Sequence, residues 1–304
     1  MLSRFPKYLK WILLFLLTLI WGSSFILMKE GLMAFTPIQV AGMRMVFAAS
    51  ALLPFIIRHV GKIEPSKWKW IIAGGLIGNG IPAFLFTLAE TRVTSTTAGM
   101  LNSLSPVFTL LIAWLIFKNK PRITQTIGVL IGMIGALALI YFQPGSTGIN
   151  ADPYAWYVVL ACLGYGCSVN IIRNHFGGMN PVHAAGFALA FAAIPYFLYF
   201  LGSGFFTTVG NQPYFWRAFA SVAVLGVMGS ALATVLFNML VKASSALFAA
   251  SVTYLMPIVS LSLGVLYGES VHQMQMIGLA VILGGVYLIS LKPKPKALKS
   301  GQAN

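Results

Sequence analysis

Long apolar runs separated by short polar intervals make up nearly the whole chain. Ten runs approach the roughly 20 apolar residues that a helix needs to cross a hydrocarbon core. They cover residues 11–31, 37–58, 68–89, 95–117, 123–142, 154–173, 181–201, 215–240, 244–267 and 272–291. The pattern predicts an all-α membrane protein with ten transmembrane helices. The intervals are too short for a soluble catalytic or nucleotide-binding domain, and the closing KPKPKALKSGQAN has the Lys and Pro content of a disordered end. The first run follows the basic MLSRFPKYLK and resembles the apolar core of a signal peptide. No small-x-small site follows it and apolar residues continue to Met28, so an uncleaved first span is expected.

Composition agrees with this pattern. Hydrophobic residues make up 58% of the 304 and charged ones 8%, against about 25% in soluble domains. Mean hydropathy is +0.86. The acids are Glu30, Glu64, Glu90, Asp152 and Glu269, and 20 Lys and Arg leave a net charge of +15. A pI near 10.0 would suit nucleic acid if the basic residues clustered on a folded surface. Here they sit in intervals between apolar runs, where they set topology, so no nucleic-acid partner is expected. Lys29, Arg92 and Arg217 fall on one side and Arg44 lies within the second span, while the other sixteen fall on the opposite side. The Lys/Arg bias therefore predicts that both ends of the chain face the cytoplasm.

Cys162 and Cys167 are five residues apart, which on a helix turns them about 140° from one another, so no disulfide between them is expected. No Cys/His set has metal-ligand spacing. Neither a metal nor a cofactor is predicted.

The chain is written twice. An offset of 151 aligns Gly75 with Gly226, Gly78 with Gly229, Phe86 with Phe237 and Pro106 with Pro257; an offset of 144 aligns Gly22 with Gly166, Ser24 with Ser168, Pro37 with Pro181 and Gly42 with Gly186. Residues 1–144, with a basic N-terminal segment, and 152–291 then form two five-span repeats, followed by a basic tail at 292–304. Five is odd, so the second copy enters the membrane from the opposite side. Inverted repeats are a common construction of secondary transporters.

WGSSF at 21–25, P-x4-GMR from Pro37 to Arg44, SP at 105–106 and YGE at 267–269 together resemble the drug/metabolite transporter superfamily, EamA type. The resemblance covers nearly the whole chain in two copies. It implies two inverted five-helix halves around a cavity lined by spans 1, 3, 4, 6, 8 and 9. A Gly-Glu pair usual in the family after span 4 is replaced here by FKNK, residues 117–120, so only Glu269 keeps the acid.

Candidate site residues follow from breaks in the apolar pattern. Proline inside a helix costs roughly 3 kcal/mol, and a broken membrane helix is tolerated against protein or a wet cavity. Pro106 and Pro257 are expected to free the carbonyls of Asn102 and Thr253, beside Ser103 and Tyr254, as hydrogen-bonding partners for a solute. A plain packing kink is the competing reading. Asn79 and Thr87 form a polar stripe on span 3, matched by Ser230, Thr234 and Asn238 on span 8; such a stripe bonds a neighbouring helix or lines a pathway. Spans 1 and 6 add Trp21 and Ser24, Tyr165 and Ser168, with Asn170 one turn beyond Gly166. Among ionisable groups, Arg44 is expected to snorkel outward or to pair with Glu90 or Glu30. Glu90 is the candidate for proton coupling, or else an interfacial acid paired with Arg92 or Lys29. Gly74-x3-Gly78 and Gly128-x3-Gly132 are assigned to close packing.

These features predict a secondary transporter for small polar or amphipathic metabolites, with amino acids and export implied by the resemblance alone. A cavity without fixed charge would suit neutral or zwitterionic solutes. A channel or a membrane sensor is the alternative. The missing G-x4-G-K-[ST] loop excludes primary pumping by this chain. A single Asp and no H-E-x-x-H leave no support for an intramembrane protease.

Overall fold

A computed structural model describes residues 8–142, 152–176, 178–208, 210, 213–244, 248–249 and 252–291. The break between the two repeats and the tail at 292–304 lie outside the described residues. Among the described residues, nine helices are long and apolar enough to cross a membrane, and a tenth is shorter. In chain order they are α1 (Leu9–Gly31), α2 (Pro37–His59), α3 (Pro65–Ala89), α4 (Ser95–Leu115), α5 (Ile123–Tyr141), α6 (Ala155–His175), α7 (Pro181–Gly202), α8 (Phe215–Ala243), α9 (Val252–Leu266) and α10 (Gln273–Ser290). The protein is an all-α membrane protein of two inverted five-helix repeats. Leu9 and Ser290 lie on one face, called here the near face; Lys29, Glu90 and Glu269 mark the far face.

Local sequence sets the ends. Thr36 and Gln39 form a capping box before α2 with Pro37 in its first turn, and the side chain of Asn180 caps α7 ahead of Pro181. These devices satisfy backbone donors that a helix start leaves open.

The two halves interleave. Helix α5 lies along α10 and α2 along α7; α1 packs on α9 as α4 packs on α6, and α1 meets α8 as α3 meets α6. Each pairing maps onto itself or its mate under the repeat, and each crosses between halves. Small residues allow the approach. A Cβ on Gly135 would fall 2.7 Å from the carbonyl oxygen of Gly278, and one on Gly128 would collide with that of Gly285. With lipid as apolar as leucine, such backbone contact is what holds membrane helices together. Gly78 and Gly128 therefore serve the close packing expected of them, while Gly74 meets only an ordinary contact, 3.5 Å from Phe176.

Helices α3 and α8 are both wound as π-helix midway, over Leu76–Gly80 and Leu225–Leu232. These segments overlap under the 151-residue offset. Nothing in the apolar pattern announces them.

Candidate functional site

A cavity of about 150 Å³ lies at mid-depth between the halves. A volume of that order takes a benzene-sized solute in other proteins. Its wall is built from repeat-matched elements. Trp21 of α1 leans on Phe237 of α8 with ring centroids 5.3 Å apart, and Tyr165 of α6 leans on Phe86 of α3 at 5.8 Å. Under the repeat these are the same pair. Ser24 and Ser168 sit where Gly229 and Gly78 leave room: a Cβ on Gly229 would be 2.9 Å from Ser24 Oγ, and one on Gly78 would collide with Ser168.

The π segments explain the anchoring of the wall. Each displaces backbone carbonyls from the regular ladder, and in a membrane those need internal donors. Trp21 Nε1 donates to the Gly229 carbonyl at 3.0 Å, and the Tyr196 hydroxyl donates to that of Gly80 at 2.8 Å.

The structure brings most of the sequence candidates to this cavity. Trp21, Ser24, Asn79 and Asn102 line it from the first half, with Pro106. Tyr165, Ser168, Ser230, Thr234, Asn238 and Thr253 line it from the second. Of the uncharged polar candidates, four do not line it, and each has a bond elsewhere. Thr87, fully buried, donates to the Ala83 carbonyl at 2.8 Å and contacts the carbonyl of Pro37 at 3.2 Å. Asn170 donates to the carbonyls of Thr109 and Gly166, both at 2.9 Å. Ser103 donates to the Thr253 carbonyl at 3.0 Å, and the Tyr254 hydroxyl meets Ser290 Oγ at 3.3 Å. Asn238 does both: it lines the cavity and its amide reaches the Pro181 carbonyl at 3.3 Å, the repeat of the Thr87–Pro37 contact. Its Oδ1 is buried with no partner.

Pro106 and Pro257 are both buried, and Pro106 alone of the two lines the cavity. The expectation that they expose free carbonyls needs correction. The Asn102 carbonyl accepts from Ser105 Oγ at 2.9 Å, and that of Thr253 accepts from Ser103. Serines beside Pro106 satisfy both breaks, so the acceptors are held within the bundle. The break in α4 is also deeper: Asn102–Leu104 forms a 3-10 turn and the helix restarts at Ser105, whereas α9 runs through Pro257.

Span 2, absent from the expected lining, contributes Arg44 and Met45. Arg44 is 8% exposed; its Nε donates to Ser230 Oγ at 2.7 Å and its Nη1 approaches Met28 Sδ at 3.6 Å. It pairs with neither Glu90 nor Glu30. Glu30 is taken by Arg217 at 2.7 Å. The cavity therefore carries a fixed cation, contrary to the expectation of an uncharged wall. Sequence spacing had placed Arg44 about 10 Å into α2, but which helix it would meet depends on how the halves interleave.

Glu90, 2% exposed, lies outside the cavity lining, and neither of its carboxyl oxygens has a hydrogen-bond partner. The expected partners are engaged elsewhere: Arg92 lies over the Tyr154 ring at 4.6 Å, and Lys29 pairs with Glu269 at 3.4 Å. Glu269 also accepts from the backbone of Ser95 and Thr96, each at 2.9 Å, and from the Thr96 hydroxyl at 2.7 Å. It thereby caps the start of α4 from the turn between α9 and α10. Burial opposes charge on Glu269, but the Thr96, Ser95 and Lys29 contacts outweigh it and hold the carboxyl below its ordinary value. Among the described residues no group of His, Cys, Asp and Glu is arranged to hold a metal, and both cysteines are free.

Two inverted halves enclosing a mid-depth cavity can be set beside known proteins. The EamA-like transporter family matches residues 9–141 and again 153–291. The chain belongs to this family. It is 27% identical over 294 residues to a protein of Escherichia coli K12 named as an uncharacterized inner membrane transporter, YedA, covering 91% of this chain and 89% of that one. It is 24% identical over 282 residues to a probable amino-acid metabolite efflux pump of Salmonella typhimurium, covering 90% and 92%. A solved crystal structure shares the fold with a TM-score of 0.64 at 18% identity, over 93% of this chain and 96% of that one. The family and its relatives' names concern transport of small solutes across membranes rather than catalysis.

Proposed function

We propose that this EamA-family protein is a secondary transporter that carries small polar or amphipathic metabolites by alternating access, outward across a bacterial cytoplasmic membrane, with both ends of the chain in the cytoplasm. One observation carries the reading: a mid-depth cavity whose wall is made of repeat-matched side chains from both halves. Two similar halves that exchange shapes would present that wall to either side in turn. The name of the Salmonella relative supports amino-acid metabolites as cargo and export as direction.

The aromatic pairs give apolar surface, while Asn79, Asn102 and Asn238 supply amides that orient a polar group. The π segments of α3 and α8 give each half a place to flex, because a π turn stores an alternative register of the helix ladder. Counterflow in proteoliposomes tests the mechanism. Unlabelled solute loaded inside is expected to accelerate entry of the labelled solute several-fold; entry that ignores the internal solute would indicate a channel and overturn alternating access.

A further inference from the structure

We infer that Arg44 is the anchor for a carboxylate of the carried solute, so that the cargo class is small organic monoanions and amino acids rather than uncharged metabolites; this rests on the transport reading above. A guanidinium has five N–H donors and no acceptor. Arg44 spends one on Ser230 Oγ and turns another to the Met28 thioether, which is a weak acceptor. No hydrogen bond occupies its Nη2 among the described residues. The side chain is more than nine-tenths buried and forms part of the cavity wall.

Its counter-ion is missing. Every acidic residue of the chain is described, and none has a carboxylate within 4.0 Å of Arg44. Glu30 belongs to Arg217, Glu269 to Lys29 and the start of α4, and Glu64 to Lys67. Glu90 is near enough to influence Arg44 through the electric field but makes no contact with it. A buried cation without a paired anion is expensive, and a charge inside a membrane protein marks a site. The planar fork matches a carboxylate through two parallel N–H···O bonds. One guanidinium in a partly aromatic cavity of about 150 Å³ balances one negative charge, which favours a carboxylate over a phosphate dianion.

Position links this contact to movement. Arg44 stands on α2 of the first half, and Ser230 lies in the π segment of α8 in the second. A carboxylate seated on Arg44 would engage the cation that joins the two halves at a helix irregularity. Its binding would therefore bear on the element expected to flex.

The experiment is counterflow in proteoliposomes with a matched panel: the L-amino acids, benzoate and phenylacetate, each beside its primary amide. The amide keeps size and shape and removes the carboxylate's negative charge. Hydrogen bonds to a charged group predict that the best acid outcompetes its amide by about ten- to a hundredfold. Arg44→Gln should abolish that ratio, and Arg44→Lys should retain a smaller preference for the acid, because it keeps the charge but loses the fork. Equal exchange of acids and amides by the wild type, or an unchanged ratio in Arg44→Gln, overturns the assignment and leaves the transport reading standing. If neither acids nor amides exchange, both fail together. The wild-type comparison needs no variant, so a misfolded Arg44→Gln would not shield the proposal.

Discussion

Lys118 lies in the turn after α4 and Gly268 in the turn after α9, and both adopt left-handed backbone, with φ of 54° and 80°. Where the second half has a glycine, the first has a lysine in a conformation that costs an L-residue roughly 1–2 kcal/mol. Gly268→Ala is expected to destabilise the protein by about 1 kcal/mol, lowering its unfolding temperature in detergent by a few degrees; Lys118→Gly is expected not to lower it. At the cavity, Asn102→Ala or Asn238→Ala should cut uptake at least several-fold while membrane insertion, read by fractionation, stays normal. Wild-type uptake in both would remove these amides from the pathway. The sequence distinguished such residues only in part. Thr87, Ser103 and Asn170 stand beside Asn79 and Ser168 among the candidates read from the sequence, yet the first three bond to backbone carbonyls. A polar face points to a neighbour, and spacing alone does not say whether that neighbour is a helix or a cavity. Arg44 was misread for a related reason: its partner lies 186 residues away, in the other repeat.

Helices and the turns between them carry a different kind of control. Glu269 ties α4 of one half to the α9–α10 turn of the other at the far face, and on the near face Asn119 follows the left-handed Lys118 as Glu269 follows the left-handed Gly268. Each turn is closed by a backbone bond: Glu269 N–H reaches the Gly264 carbonyl at 2.9 Å, and Asn119 N–H reaches that of Ala113, one residue further back, at 3.0 Å. The two turns share a left-handed residue but differ by one residue in length, and the acid is present in one half only. Glu269→Gln should loosen the far-face tie. In a background with both native cysteines replaced by alanine, a membrane-impermeant thiol reagent on that side should label Met45→Cys several-fold faster. Because the folded carboxyl titrates below its ordinary 4.5, its contribution is complete above that value and is lost as the pH falls through the lowered one. Labelling should therefore be flat through the neutral range and rise only below about pH 4.5. The π segments of α3 and α8 belong to this scale too. They were not legible in the apolar pattern, because Gly-rich stretches at 74–80 and 226–229 look like packing glycines, and some of them are.

For the molecule as a whole, the apolar runs match nine of the ten described helices to within a few residues, the exception being the ninth, expected from 244 and described from Val252, and the offsets of 144 and 151 show the duplication in the sequence itself. The expected side of each loop can be tested with single cysteines. Lys120→Cys should react from the cytoplasm and Arg92→Cys from outside; the reverse result would invert the orientation and with it the direction of transport. What the offsets could not convey is that the repeats are not separate bodies. Gly75, Gly78 and Gly166 each fit against backbone or side chains of the opposite half, so the seams between the halves depend on both. That has a consequence for synthesis. The leading five helices should therefore enter the bilayer with the glycines of these seams unmated until the ribosome has delivered the remainder. A chain halted near residue 142 should be cleared by membrane proteolysis, and supplying the trailing fragment as a second polypeptide should rescue it.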